Sequence, residues 1–161
     1  MAASVSNDNL TRMIRLAEEV FHVADDPGQL AIDEEVTKRL HRLHSATMQE
    51  HATEDGPVAW AIVIPTTTQV MEAFLSGDIG ERELLDRTPE HGPFDAVYLC
   101  SALVLPEFRR QGIASALICR AVEEIRMSHP ITVLFSWIFL EEGARLTASI
   151  SRTLDLPFVT R

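Results

Sequence analysis

The residues best placed to do chemistry are Arg109-Arg110-Gln111-Gly112-Ile113-Ala114. They stand between an apolar run ending at Val104-Leu105-Pro106 and a helix-patterned run from Ser115 to Met127. A strand stopped by proline, then a glycine turn opening a helix, aims several backbone N–H groups at one spot. Those first N–H groups have no partner inside the helix, and the helix dipole is positive there. Such a spot suits a phosphate or pyrophosphate, with Arg109 and Arg110 adding charge-assisted hydrogen bonds. A surface turn carrying two solvated arginines is the plainer alternative.

The rest of the chain is acidic, which sets this turn apart. Fourteen Lys and Arg stand against 24 Asp and Glu, a formal charge of −10 over 161 residues. Residues 98–120 reverse the balance, with three arginines and one glutamate. A general nucleic-acid binder needs a broad basic face, so that class is excluded, and a cationic or neutral partner is weakly favoured. Only Lys38 is lysine, and forked guanidiniums suit phosphate recognition, although a compositional bias towards arginine accounts for the excess equally well.

No basic leader precedes an apolar core at the N-terminus, so no signal peptide is expected. The longest apolar run, Ile131 to Leu140, is about half the length of a membrane helix, so no membrane partner is expected. Two cysteines, Cys100 and Cys119, imply no disulfide framework and suit a reducing, cytoplasmic compartment. At this length one domain with a real core is expected, spanning 1–161.

Helical spacing of Leu10, Met13, Ile14, Ala17, Val20 and Phe21 predicts a first helix, with Asn7, Asp8 and Asn9 available as caps and an end at Asp25-Asp26-Pro27-Gly28. A second helix begins near Asp33, with Val36, Leu40, Leu43 and Thr47 inward, so residues 1–54 read as a helical N-terminal part. Asp55-Gly56-Pro57 is a turn, and Val58 to Ile64 a strand buried on both faces. Thr66 to Arg87 is helical in two pieces broken at Ser76-Gly77-Asp78, and His91-Gly92-Pro93 turns the chain. A strand from about Asp95 to Leu105, a helix from Gln111 to Met127, a strand from Ile131 to Phe139 and a helix from Glu142 to Leu154 follow. Strands joined by a crossover helix lie parallel, and ligands bind beyond their carboxyl ends, where the glycine turn falls.

In this setting the chain resembles the GNAT superfamily of N-acetyltransferases, whose signature Arg/Gln-x-x-Gly-x-Gly/Ala is matched by Arg109-x-x-Gly112-x-Ala114. The resemblance runs over about residues 98–118 and more loosely to about 158. It implies an α/β fold with a mixed central sheet, two splayed parallel strands, flanking helices and, here, an extra helical N-terminal region. Residues 94–158 would form the acetyl-CoA-binding core. Gln111, Gly112, Ile113, Ala114 and Ser115, with Arg109 and Arg110, would hold the pyrophosphate, and Ala102, Leu103 and Val104 would pair with the pantetheine arm. The implied reaction is direct attack by an amine, small-molecule or peptide, on the thioester, with acetyl-CoA as acyl donor and no metal.

The match departs from the family at the general acid. The family's last helix carries tyrosine in a pattern like Asn-x-x-Ala-x-x-Leu-Tyr; registering on Ala144 puts Ala148 there and Glu141 at the asparagine, and registering on Pro157-Phe158 puts Thr153 there. Ser149, Ser151 and Thr153 offer only helix-face hydroxyls. Tyr98, the one tyrosine, falls where some members place a catalytic glutamate, or it packs in the core. Glu141 and Glu142 stand where they could take the amine proton or hold a cation, or they complement the helix dipole. The family continues beyond the position of Arg161 with a strand pair that closes the substrate side. That wall is expected to be short here, completed by a homodimer partner or left open. A CoA-binding regulatory module and a helical protein-interaction domain are the competing functional readings. His41, His44 and His51 lack a ligand spacing that would make a metal site.

Overall fold

The order of the apolar runs is met by one five-stranded mixed sheet, β1-β2-β3-β4-β5, carrying six α-helices among the described residues. The computed structural model describes residues 2–20, 30, 32–138 and 141–161. The helices are α1 (Ala2–Val20), α2 (Glu34–Leu43), α3 (Thr68–Leu75), α4 (Glu81–Arg87), α5 (Ile113–Arg126) and α6 (Glu141–Leu154). The strands are β1 (Met48–Thr53), β2 (Gly56–Thr66), β3 (Ala96–Val104), β4 (Val133–Ser136) and β5 (Phe158–Thr160). None of the helices is long and apolar enough to cross a membrane.

Strands β1, β2 and β3 are antiparallel neighbours, whereas β3–β4 and β4–β5 are parallel and joined through α5 and α6. Strand β2 is almost wholly buried, so both of its faces are apolar and the sequence reads as a continuous run. The main core includes Ile64, Phe74, Tyr98, Leu117, Ile125, Leu134 and Phe135. A second cluster of Met13, Val58, Leu103 and Leu105 seats α1 on the sheet.

Several sequence expectations need correction. Residues 1–54 are not wholly helical, because Met48–Thr53 forms β1. That strand is an edge whose residues are mostly exposed, so it carries no apolar run to betray it. Helix α2 ends at Leu43 rather than Thr47, and Gly56 and Pro57 belong to β2. Asn7, Asp8 and Asn9 lie inside α1, which begins at Ala2. In the expected stripe of α1 only Met13 is fully buried, while Leu10, Ile14 and Val20 are exposed at 40%, 46% and 54%. Strand β4 is shorter than expected, and β5, at three residues, is too short to show a pattern. The proposed helix end at residues 25–28, and Phe21 and Phe139, lie outside the described residues.

Elsewhere the local chemistry acts as expected. Asp33 caps α2 by accepting from the N–H of Val36 at 2.9 Å, and Thr67 caps α3 by accepting from Val70. The break at residues 76–78 falls between α3 and α4, with Gly77 at φ +87°. Asp95 accepts from the N–H and the hydroxyl of Thr68 at 2.8 and 3.1 Å, tying the start of α3 to the start of β3.

Two histidines brace the entry to β3. His44 Nδ1 accepts from the N–H of Ala46 at 3.0 Å, and His129 Nδ1 accepts from the N–H of Phe94 at 3.3 Å. Their rings meet edge-on at 6.1 Å. Burial, and then the neighbouring His129, hold the His44 imidazole below its usual value. A group depressed in the folded state stabilises above its unfolded pKa, and that contribution is lost as pH falls through the folded value. Stability should therefore drop from about pH 6.5 downward. In urea denaturation, His44→Asn, which keeps an acceptor without the titration, should flatten that acid limb. An unchanged limb would contradict this role.

Candidate functional site

The pairing of β3 with β4 is brief: Ala96, Val97 and Tyr98 face Val133, Leu134 and Phe135, and then the strands part. Ser136 closes the junction, its buried hydroxyl donating to the Leu99 carbonyl at 2.9 Å. Strand β3 runs on to Val104, held on its other edge by β2. A cleft of about 340 Å³ opens where they part, bounded by Leu99 to Ala102 on one side and Ser136 to Ile138 on the other.

Strand β3 also bulges. Ile62 pairs with Ser101 while Val63 pairs with Leu99, so Cys100 has no partner in the register. A bulge adds twist and re-aims the side chains that follow it.

Beyond β3 the chain makes a 3₁₀ turn at Pro106–Phe108 and reaches the glycine turn. Three side chains fix this loop, two from within it and one from α1. Arg109 Nε donates to the Val104 carbonyl at 3.0 Å, and Gln111 Nε2 donates to the Glu107 carbonyl at 3.2 Å. Arg12 of α1 grips Glu107 with two parallel bonds of 2.6 and 2.8 Å. That hydrogen-bonded pair holds the Glu107 carboxyl below the usual carboxylate range.

Gly112 precedes α5 at φ 78°, with no side-chain cap on the helix start. The amides of the first turn of α5 are thus left without intrahelical partners. A Cβ on Gly112 would meet nothing within 4 Å, so the space before these amides is open. Arg110 also sits at positive φ, 64°. An arginine held there costs about 1–2 kcal/mol of backbone preference, the kind of strain that gathers at binding loops.

These residues border a groove of about 830 Å³. Ala102, Leu103, Val104, Arg109, Arg110, Gly112, Ile113, Ala114 and Ser115 all line it, and Gln111 does not. Leu16 and Val20 of α1 form one further wall, and Glu142, Arg145 and Leu146 of α6 another. Ala102, Glu142 and Leu146 also line the cleft, so groove and cleft adjoin along β3. The arginines from two walls supply the positive charge. Arg145 escaped the sequence reading because the family's last-helix pattern gives its position no role; it forms an exposed ion pair with Glu141 at 3.0 Å.

The two proposed catalytic residues lie elsewhere. Tyr98 is in the core against Phe74 and Phe135, and its hydroxyl donates to Glu81 Oε1 at 2.5 Å. Burial first, then the neighbouring Cys100 and Glu81, push its pKa far above the ordinary phenol value. It is not among the residues lining the cleft or the groove. Glu141 is 81% exposed on the outer side of its pair with Arg145, and Glu142 takes the lining position instead. Among the described residues no three of His, Cys, Asp and Glu gather closely enough to hold a metal ion. No family model matches the chain, and no curated protein matches it significantly.

The turn separates strain from function. Gly112→Ala should cost about 1 kcal/mol of stability through its positive φ alone, since its Cβ meets no neighbour. Arg110→Gly should cost nothing in the same urea titration. Equal losses in both variants would contradict this account of the turn.

Proposed function

We propose that the chain is an acyl-CoA-dependent N-acyltransferase of GNAT type, transferring acetyl from acetyl-CoA to an amine. The observation that supports it most is the adjacency of two features along β3. One is an open strand edge, and the other is an uncapped helix start flanked by arginines. A CoA molecule needs both, because its pantetheine arm carries amides and its pyrophosphate carries charge.

The residues present fit that molecule. Ile113, Ala114 and Ser115 offer main-chain N–H groups to a pyrophosphate, and the bare Gly112 lets its oxygens approach. Arg110 and Arg145 supply charge from opposite walls. Ala102, Leu103 and Val104 offer the unpaired edge of β3 to the pantetheine amides, as an extended peptide adds to a sheet edge. One N–H on that edge would polarise the thioester carbonyl, an interaction typically worth ~3–4 kcal/mol in the transition state. Acetyl-CoA supplies an acetyl group activated by a thiol leaving group. In the transfer the amine nitrogen bonds to the carbonyl carbon, the carbon–sulfur bond breaks, and the proton lost by nitrogen balances the thiolate as free thiol.

A second reading, CoA binding without efficient transfer, has an observation of its own. The hydroxyls of Ser136 and Thr147 in the cleft already donate to main-chain carbonyls, and Tyr98 is sequestered by Glu81. Ser101, the remaining hydroxyl that lines the cleft, stands on β3 and not on the last helix, where the family carries its tyrosine.

Acetyl-CoA at about 100 times its dissociation constant should stabilise the protein by ~2.7 kcal/mol in thermal denaturation, and Gly112→Asp should remove the shift. Release of CoA thiol with a panel of amines then distinguishes transferase from binder. No shift with any CoA ester would overturn both readings.

A further inference from the structure

A second cavity, of about 680 Å³, lies on the other side of β3 from the cleft, between α1 and strands β1, β2 and β3. Its walls are mostly apolar, including Ile14, Met48, Trp60, Ile62 and Leu103. The only charged groups among the described residues lining it are two carboxylates, Glu18 and Glu50. Trp60 and Glu50 are register partners across β1 and β2, and the indole N–H donates to Glu50 Oε1 at 2.8 Å. That bond fixes an aromatic face and a carboxylate side by side on the cavity rim.

From these features we infer that this cavity binds an amphipathic primary amine: an apolar body seated against α1 and β2, and an ammonium group held by Glu50 and Glu18. An apolar cavity of this size encloses a small organic molecule, and its few polar groups decide orientation. An anionic ligand would meet two like charges there. A neutral one would leave the carboxylates unused, whereas an ammonium gains charge-assisted hydrogen bonds and the face of Trp60.

The location links this cavity to the transfer, a link that rests on the acyl-transfer reading, while the binding itself does not. Ser101 lines both the cavity and the cleft, and Leu103 lines both the cavity and the groove. Cavity and cleft thus meet at β3, while Glu50 on β1 holds the ammonium on the far side of β2 from that strand. Ser101 directly follows the bulge at Cys100. For transfer the amine leaves the two carboxylates and gives one proton to water, so the nitrogen attacks neutral; the second proton, lost as the amide forms, leaves with the expelled sulfur as the thiol.

The test is calorimetric titration of the whole chain, without any CoA ester, with 4-phenylbutylamine, 4-phenylbutanol and 4-phenylbutyrate. The amine should bind tightest and the carboxylate weakest. Glu50→Gln should weaken the amine roughly tenfold while leaving the alcohol unchanged. Leu103→Trp should fill the cavity and abolish binding; Ala17→Phe fills the same space from α1, should the first variant fail to fold. An amine that binds no better than the alcohol, or binding that survives a folded cavity-filling variant, overturns the assignment. Amine binding without any stabilisation by acetyl-CoA keeps the cavity and removes the transfer reading. Stabilisation by acetyl-CoA with no amine binding removes the cavity assignment alone.

Discussion

A strand held in a sheet by one edge must still satisfy the main-chain N–H and C=O groups on the other, with water, a side chain or a ligand. Strand β3 is in that position from Leu99 onward, because β4 pairs only with Ala96, Val97 and Tyr98. The Ser136 hydroxyl takes the first of the freed carbonyls, that of Leu99, Arg109 takes that of Val104, and Cys100 to Ala102 line the cleft between them. Every opening in the molecule discussed above borders this strand: the cleft on its free edge, the groove past its end and the cavity against α1. The separation of two parallel strands is therefore the constraint from which the site follows.

The surrounding structure keeps β3 in place while its edge stays open. Strand β2 supports it along its whole length and is itself buried on both faces. Arg109 and Gln111 spend their side chains on the loop's own carbonyls, and Arg12 carries α1 to the same loop through Glu107. On the far side, Glu81 joins α4 to Tyr98, and Arg161 lies over Trp137 and Phe74 at 4.1 and 4.9 Å. Arg161 Nη1 also donates to the Ile79 carbonyl, so β5 is fastened to the segment between α3 and α4. Helix α1 divides the groove from the cavity, which explains why its apolar residues other than the buried Met13 are only partly covered where they line these openings. Leu16 and Val20 line one opening, and Ile14 and Ala17 the other.

The turn from Arg109 to Ala114 was readable because its conformation demands particular residues. Glycine at φ 78° between a proline-stopped strand and an amphipathic helix leaves a mark in the sequence. Strand β1 left none, since an exposed edge strand such as Met48–Thr53 needs no apolar alternation. Pairings across the fold were equally silent. Glu81 and Tyr98 are 17 residues apart, Arg12 and Glu107 are 95 apart, and neither spacing carries a helical or strand period. Tyr98 was singled out for its distance from the turn, but that distance does not say which face of the sheet it occupies. Its side chain meets α3 and α4, beneath the sheet and away from the cleft. Trp60 and Glu50 illustrate the same limit, since only the register of β1 on β2 brings them together.

We propose that the free edge of β3 and the start of α5 form one continuous binding surface for CoA. Backbone amide chemical shifts of isotopically labelled protein, followed as CoA is added, test it most directly. The account predicts perturbations concentrated in Ser101 to Val104 and in Gly112 to Ser115, titrating together with one dissociation constant. Perturbations confined to the turn, with the amides of β3 unmoved, or none in either segment, would contradict it.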